Sequence, residues 1–435
     1  MHGFQYLDGR LHCEEVDLER VAQEHGTPLY VYSAGTIVDH YRRLDAALRD
    51  LDHLICYAVK ANSNRAILRL LREEGAGFDV VSGGELYRVR AAGGEAAQCT
   101  FAGVGKSREE IEDALAAGVF CFNVESEAEL DCINCIAAEK GMRAPVALRV
   151  NPDVAAGAHK YVSTGRSENK FGIPLSRAAQ VYEAAARLPH LRIRGVQMHI
   201  GSQITRAQPF AEAIEKIAPL VRELQKLYGL EFLSIGGGMG IVYDSSFASG
   251  QVDWWRDETN PEARNALTID EYAAAIVPPL RVLGLRILLE PGRLLVGNAG
   301  VLLTRVRYLK QAERKKFVIV DAGMNDLIRP ALYQGYHEIV PVREPASAAH
   351  AAAVDVVGPV CESGDFFAQD RALPEMCAGD LAAIMSAGAY GFSMASNYNS
   401  RPLPAEVLVR GDCFSLIRER QTYADLIRGE CDPVV

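Results

Sequence analysis

Nothing in this 435-residue sequence approaches the ~18 consecutive apolar residues that a bilayer-spanning helix needs. No basic block of the kind that tracks phosphates is present either. The 46 Lys+Arg stand against 56 Asp+Glu, and the resulting formal charge of −10 is spread along the chain. That balance argues against a nucleic-acid or anionic-membrane surface and favours a small-molecule partner. The opening MHGFQYLDGRLHCEE has neither a basic n-region nor an apolar h-region, so a cytoplasmic protein is expected. The ten cysteines run from Cys13 to Cys431 without the density of a disulfide scaffold, which fits a reducing compartment. The one CxxC, Cys132 with Cys135, lies in a helical pattern and lacks the second pair that a zinc site needs; no metal is expected, and both thiols are read as buried. No repeat or low-complexity tract appears. With 49% hydrophobic and 23% charged residues, disorder and fibre are excluded.

What is present is an alternation. Eight short apolar runs, LICYAV (54–59), FDVV (78–81), QCTFA (98–102), FCFNV (120–124), VALRV (146–150), IRGVQMHI (193–200), FLSI (232–235) and RILLE (286–290), are each followed by helical periodicity. Eight strands alternating with helices predict a parallel (β/α)8 TIM barrel over 34–290. After residue 291 the texture becomes valine-rich with Gly, Pro and Asp turns, predicting an all-β domain, a β-sandwich or β-barrel. The Asp-Gly turn in GFQYLDGRLHCEE predicts two N-terminal strands, so residues 1–33 are assigned with 291–435. The longest irregular stretch, 244–266, holds both tryptophans and reads as a functional or mobile loop.

Active sites of such barrels form at the C-terminal ends of the strands. There the chain places Lys60, Asp79 with Ser82, Arg149 with Asn151, His199, the triplet Gly236, Gly237 and Gly238, and the run Glu290, Pro291, Gly292 and Arg293. Singly, each has an ordinary reading: a solvated lysine, a core histidine, a glycine turn. Together they meet the separate demands of pyridoxal 5'-phosphate. The aldehyde needs a lysine that can lose its proton and form a Schiff base, and Lys60 fits. The phosphate needs backbone N–H groups at close approach, which a glycine triplet before a helix start provides. Glu290 can keep the ring nitrogen protonated. His199 can lie across the ring face.

The segments YAVKAN, FDVVSGGEL, HKYVSTG with NKFGI, HIGSQI, SIGGGMGI, EPGR, GPVCESGD and AYGFSMASNYNSRPLPAEV resemble the diaminopimelate decarboxylases, in order and over about residues 25–410. The resemblance implies an alanine-racemase-type fold, a barrel followed by a β domain, working as a homodimer with shared active sites. It makes Lys60 the Schiff-base lysine and His199 the ring-stacking residue. Gly238, Glu290 to Arg293 and Tyr390 would bind the cofactor, with Tyr390 and the glycine loop at the phosphate. Arg293, Arg329, Tyr333, Glu362 and Tyr390 would hold the substrate, and Cys361 would donate a proton from the partner subunit. A buried structural cysteine would suit Cys377 or Cys413 better than Cys361.

Substrate is argued from the distal groups. An acidic partner for the ring nitrogen favours loss of carbon dioxide, whereas an arginine there would suit racemisation. Diaminopimelate carries an ammonium and a carboxylate at its far end, and ornithine and lysine only an ammonium. Arg329 in RPALY makes sense if a carboxylate meets it in bidentate geometry, with Glu362 on the neighbouring ammonium. The expected reaction is therefore conversion of meso-2,6-diaminopimelate to L-lysine. Alternatives are a decarboxylase of ornithine, lysine or arginine, or a non-catalytic homologue that binds the cofactor. A P-loop reading of FAGVGKS is weak, because the position five before Lys106 is Thr100 and not glycine.

Overall fold

The computed structural model describes residues 2–155, 170–257, 259–345 and 351–432; the motif HKYVSTG falls outside them. The chain divides into two units. One comprises Val38–Ile241 with Asn265–Leu295, the other Met1–Ile37, Val242–Arg264 and Val296–Val435.

In the first unit, parallel strands His53–Ala58, Gly77–Val80, Cys99–Phe101, Cys121–Val124, Ala144–Asn151, Leu191–Gln197, Phe232–Ser234 and Arg286–Leu289 pair each with the next, and the last returns to the first, closing an eight-stranded barrel. A short ninth strand, Ile173–Pro174, pairs with the fifth. Each run marked as a strand in the sequence is one. The helices are set by local signals. Arg108–Ala117 begins at a capping box between Ser107 and Glu110 and stops at Gly118, whose φ of 73° suits glycine.

Strand side chains alternate, so positions two apart share a face. Leu54, Cys56, Cys121, Ala147, Phe232 and Leu288 form one buried cluster. They come from the first, fourth, fifth, seventh and eighth strands, which can meet only across the lumen. Two residues further toward the strand ends stand Asn123, Arg149, Ser234 and Glu290, all buried, with Asp79, Thr100 and Gln197 buried beside them. An apolar floor thus carries a polar layer at the end where barrel chemistry occurs.

The cysteine expectation fails at the CxxC. Helix Glu127–Glu139 buries Leu130, Ile133, Ile136 and Ala137, and at 100° per residue Cys132 and Cys135 fall on its other face, where both are exposed. Cys377 and Cys413 are exposed as well. The buried thiols are Cys13, Cys56, Cys99 and Cys121, each on a strand.

The second unit is built on a sheet in the order Phe366–Pro374, Ala351–Val357, Lys316–Val320, Gly300–Gln311, Leu29–Ser33, Ala405–Arg410 and Cys413–Arg418. Strand Leu29–Ser33 lies antiparallel to Gly300–Gln311 and parallel to Ala405–Arg410. The N-terminal hairpin pairs Phe4–Leu7 with Arg10–Cys13 through Asp8 and Gly9, both at positive φ, the two-residue turn that Asp-Gly favours. Phe4, Leu11, Val31, Val301, Leu303 and Val407 are buried in one core cluster. The Trp-bearing stretch is not irregular: it contains the short helices Val252–Arg256 and Pro261–Arg264, and Trp255 Nε1 donates to Ser249 O at 2.7 Å. Among the described residues, no helix is long and apolar enough to cross a membrane.

Candidate active site

Lys60 sits on a single 3₁₀ turn, Val59–Ala61, directly after the first barrel strand. Asn64 then caps the following helix by accepting the Ala66 amide at 3.0 Å, which stops the turn from continuing. Lys60 Nζ donates to Asp79 Oδ2 at 2.9 Å. Asp79 is fully buried, and its other oxygen accepts from Thr100 Oγ1 at 3.2 Å. The ammonium is therefore aimed by a carboxylate on the adjacent strand while 42% of the lysine side chain stays accessible.

Glu290, at the end of the eighth strand, is the centre of the polar layer. Ser234 Oγ donates to its Oε1 at 2.6 Å, Asn123 Nδ2 to Oε1 at 3.4 Å and Gln197 Nε2 to Oε2 at 2.9 Å. The two amides are turned toward the carboxylate so fully that Asn123 Oδ1 and Gln197 Oε1 are buried without a hydrogen bond. Burial, and then the charge of Asp79, push the Glu290 carboxyl upward. Among the described residues no ion pair reaches it. A carboxylate surrounded by neutral donors is completed by a cation, and the protonated ring nitrogen of a pyridine is one that would fit.

His199 follows the sixth strand, two residues beyond Gln197 on the same face. Its Nδ1 accepts the Gly237 amide at 3.3 Å, so the imidazole is neutral with its proton on Nε2. Burial, with Arg149 and Lys60 nearby, drives its pKa well down and maintains that state. A neutral ring can lie flat on a pyridine without charge repulsion. Arg149 itself is locked by a buried ion pair to Glu125 at 2.9 Å.

The glycine triplet differs from expectation. No helix begins after it; the chain instead bridges Met239 to Ile204. The glycines are required by close approach. A Cβ on Gly236 would lie 2.4 Å from Met198 O, on Gly237 2.2 Å from Glu290 O, and on Gly238 2.4 Å from Gly201 O. Gly236 and Gly238 also have φ of 71° and 112°. Gly236 N–H donates to Ser234 Oγ and Gly237 N–H to His199 Nδ1, both at 3.3 Å, so the triplet would serve a phosphate by close backbone approach and not as a helix terminus. Pro291 O accepts the Ala58 amide at 3.0 Å, tying EPGR to the Lys60 strand, and Gly292 O accepts from Leu295 at 3.1 Å. Arg293 is buried and donates from Nη2 to Ser202 Oγ at 3.0 Å. Lysine, cation-seeking carboxylate, neutral imidazole and glycine cradle together fit pyridoxal phosphate.

Gly237→Ala tests this close packing. The clash is backbone against backbone and cannot be relieved by a rotamer, so a loss of about 1–3 kcal/mol is expected, together with weaker cofactor binding as Glu290 shifts. Thermal unfolding and an absorbance titration with the cofactor would measure both. Wild-type behaviour in both would show that the approach is not tight.

The remaining substrate and proton-donor candidates, with Tyr390, belong to the second unit. Arg329 and Tyr333 are the two ends of the short helix Arg329–Tyr333. Arg329 is buried; its Nε donates to His337 Nε2 at 3.2 Å, and its guanidinium carbon lies 4.9 Å from the centre of the Tyr243 ring. His337, fully buried, gives its Nδ1 proton to Met385 O at 2.8 Å, leaving Nε2 as the acceptor that Arg329 needs. Tyr390 is half-buried at a φ of 57°. Cys361 and Glu362 are exposed on a loop held by Asp365, whose two oxygens accept the Met324 and Val360 amides at 2.6 Å. His337, Asp365, Gln197, Asn123 and Ser234 were not singled out from sequence. Gln197 and Ser234 could have been found by stepping back along their strands at period two, whereas nothing local marks His337. The side chain of Lys106, in the FAGVGKS segment, is buried and donates to Gly103 O, Asn123 O and Glu129 Oε1 at 2.6 to 2.9 Å, so it is structural.

Residues 34–297 match the family described as pyridoxal-dependent decarboxylase, pyridoxal binding domain. The chain is 51% identical to a diaminopimelate decarboxylase of Pseudomonas aeruginosa over 99% of both chains. It is 48% identical to one of Vibrio cholerae over 98% of both. A solved diaminopimelate decarboxylase from M. jannaschii, in complex with L-lysine, superposes with a TM-score of 0.89 at 38% identity, covering 100% of this chain and 99% of that one. With its closed barrel, its second sheet unit and likeness at this level along its whole length, the chain belongs to the diaminopimelate decarboxylase family of pyridoxal-dependent decarboxylases.

Proposed function

We propose that this chain decarboxylates meso-2,6-diaminopimelate to L-lysine and carbon dioxide, using pyridoxal 5'-phosphate carried on Lys60, as a cytoplasmic homodimer. The observation that carries the reading is Glu290, a buried carboxylate fed by three neutral donors where the ring nitrogen would sit. When bound, the cofactor supplies an electron sink for the pair released as the carbon–carboxylate bond breaks. Glu290 holds the proton on the ring nitrogen that makes the sink strong. Asp79 orients Lys60 toward the aldehyde and takes up its charge before the lysine gives up a proton. Neutral His199 lies against the ring face. Gly236, Gly237, Gly238 and Tyr390 bind the phosphate, with Pro291, Gly292 and Arg293 closing the cofactor side.

On the substrate, Arg329 takes the distal carboxylate bidentately, Glu362 takes the distal ammonium, and Arg293, Tyr333 and Tyr390 line the remainder. Cys361 returns a proton to the reacting carbon, from the partner subunit's loop. Support for the distal assignment comes from His337: it occupies Arg329 Nε and so fixes the plane of the guanidinium. Support for a reducing compartment comes from ten free thiols.

Carbon dioxide release from meso-diaminopimelate, lysine and ornithine tests the substrate. A preference for diaminopimelate on the order of 10⁴ is expected, because a site built for a polar group rejects the analogue lacking it by that much. Comparable use of ornithine or lysine would replace this reading with a broader basic-amino-acid decarboxylase. Borohydride reduction and peptide mapping test the cofactor lysine: the label should appear on Lys60, and label on Lys106 or Lys170 would overturn the assignment.

A further inference from the structure

We propose that the turn Tyr398–Ser400 positions the reacting loop, and that Asn399 holds the Cys361 sulphur while its proton is transferred. The inference rests on reading Cys361 as the proton donor. The loop carrying Cys361 and Glu362 is closed on one side by Asp365, which accepts the Val360 amide and whose own amide donates to Glu362 O at 3.1 Å. On the other side stands the turn. Tyr398 Oη donates to Glu362 Oε1, and Asn399 Nδ2 donates to Cys361 Sγ at 3.1 Å. Consecutive turn residues thus grip consecutive loop residues.

The turn is built to do this. Asn399 and Ser400 have φ of 54° and 52°, a left-handed pair in which neither residue is glycine. Each such residue costs free energy, least for asparagine, and persists only where its surroundings impose it. The base of the turn imposes it here. Asn397 Nδ2 donates to Arg401 O at 2.9 Å and to Gln421 Oε1 at 2.6 Å, and that same oxygen accepts the Leu403 amide at 2.9 Å. A surface turn serving only to connect strands would need neither two strained residues nor a side-chain amide aimed at sulphur.

The chemistry gives the amide its use. In the transfer, the Cys361 S–H bond breaks and its hydrogen bonds to the substrate carbon on the pair left by carbon dioxide. The S–H electron pair remains on sulphur as thiolate, which water later reprotonates. Negative charge therefore grows on Sγ, and an N–H already pointed at it stabilises that charge without reorganising. Because Asn399 donates to sulphur, it cannot accept the S–H, which is left to point at the substrate. Asn399 is a positioning residue, since it acts through Cys361.

Two variants separate side chain from backbone. Asn399→Gly removes the amide at a position where glycine carries no strain, so the turn is retained. Asn399→Asp keeps the shape and replaces the donor with an acceptor. In the holoenzyme at fixed neutral pH, alkylation of Cys361 by iodoacetamide, read by mass spectrometry on its own peptide, should slow about tenfold in both, the value of a hydrogen bond to a charged group. Loosening of the loop would act oppositely, releasing the thiol from its contacts and speeding the reaction. The turnover number should fall with KM within severalfold, and the solvent isotope effect on turnover should rise. An unchanged or faster alkylation rate in either variant would overturn the proposal. Retained turnover in Cys361→Ala is a different result: it would remove the proton-donor reading while leaving the alkylation outcome intact.

Discussion

Replacing Arg329 with alanine should lower kcat/KM for meso-diaminopimelate by a factor on the order of 10⁴, while the weak turnover of lysine and ornithine changes by no more than severalfold. The size follows from the burial of the guanidinium and the rigidity of its setting. His337 fixes Nε, the Met385 carbonyl fixes the His337 tautomer, and the Tyr243 ring lies 4.9 Å from the guanidinium carbon. A distal carboxylate brought to the alanine variant loses its bidentate partner in a place where water substitutes poorly. Arg329→Lys should not restore the rate, since an ammonium lacks the planar fork. Steady-state kinetics on the three substrates decide the matter. A variant that keeps the wild-type order of preference would show that specificity is set elsewhere.

The difference between Arg329 and its support shows which parts of this protein a single sequence makes legible. Strand ends were readable because barrel strands are short apolar runs that stop at charged or small residues, and Lys60, His199 and Glu290 each stand where such a run stops. The floor and the polar layer were readable in principle, because period two carries the inward face from Leu288 to Glu290 and from Gln197 to His199. His337 was not readable. Its role depends on Met385 and Tyr243, far away in sequence and brought near only by the fold. Asn399 was hidden for the same reason.

Where the sequence reading erred, it followed a local rule that tertiary structure overrides. A glycine triplet after a strand ordinarily opens a helix, but here Met198 O, Gly201 O and Glu290 O crowd in on it and the chain continues extended. Free cysteine is ordinarily core, yet Cys132 and Cys135 ride on a helix whose apolar stripe runs through Leu130, Ile133 and Ala137. The period of the helix, present in the same residues, was the better guide.

The shared-site proposal leads to a result that neither inactive parent can produce. Lys60→Ala lacks the cofactor lysine, and Cys361→Ala lacks the proton donor, for which losses on the order of 10² to 10⁴ are usual. If the partner's Cys361 completes the site of each Lys60, a mixed dimer pairs the intact Lys60 of one chain with the intact Cys361 of the other. It therefore has one complete site and one doubly defective site. Random exchange of equal amounts makes half the dimers mixed, so activity should recover to roughly a quarter of wild type, a figure fixed by two-fold symmetry alone. The inverse mixture provides the control: the double variant Lys60→Ala/Cys361→Ala exchanged with wild type gives hybrids with no complete site, so activity should fall below simple dilution. Subunit exchange is verified by mass-tagged chains. Exchange without recovery would place Lys60 and Cys361 in one chain's site, and the dimer would then be dispensable for catalysis.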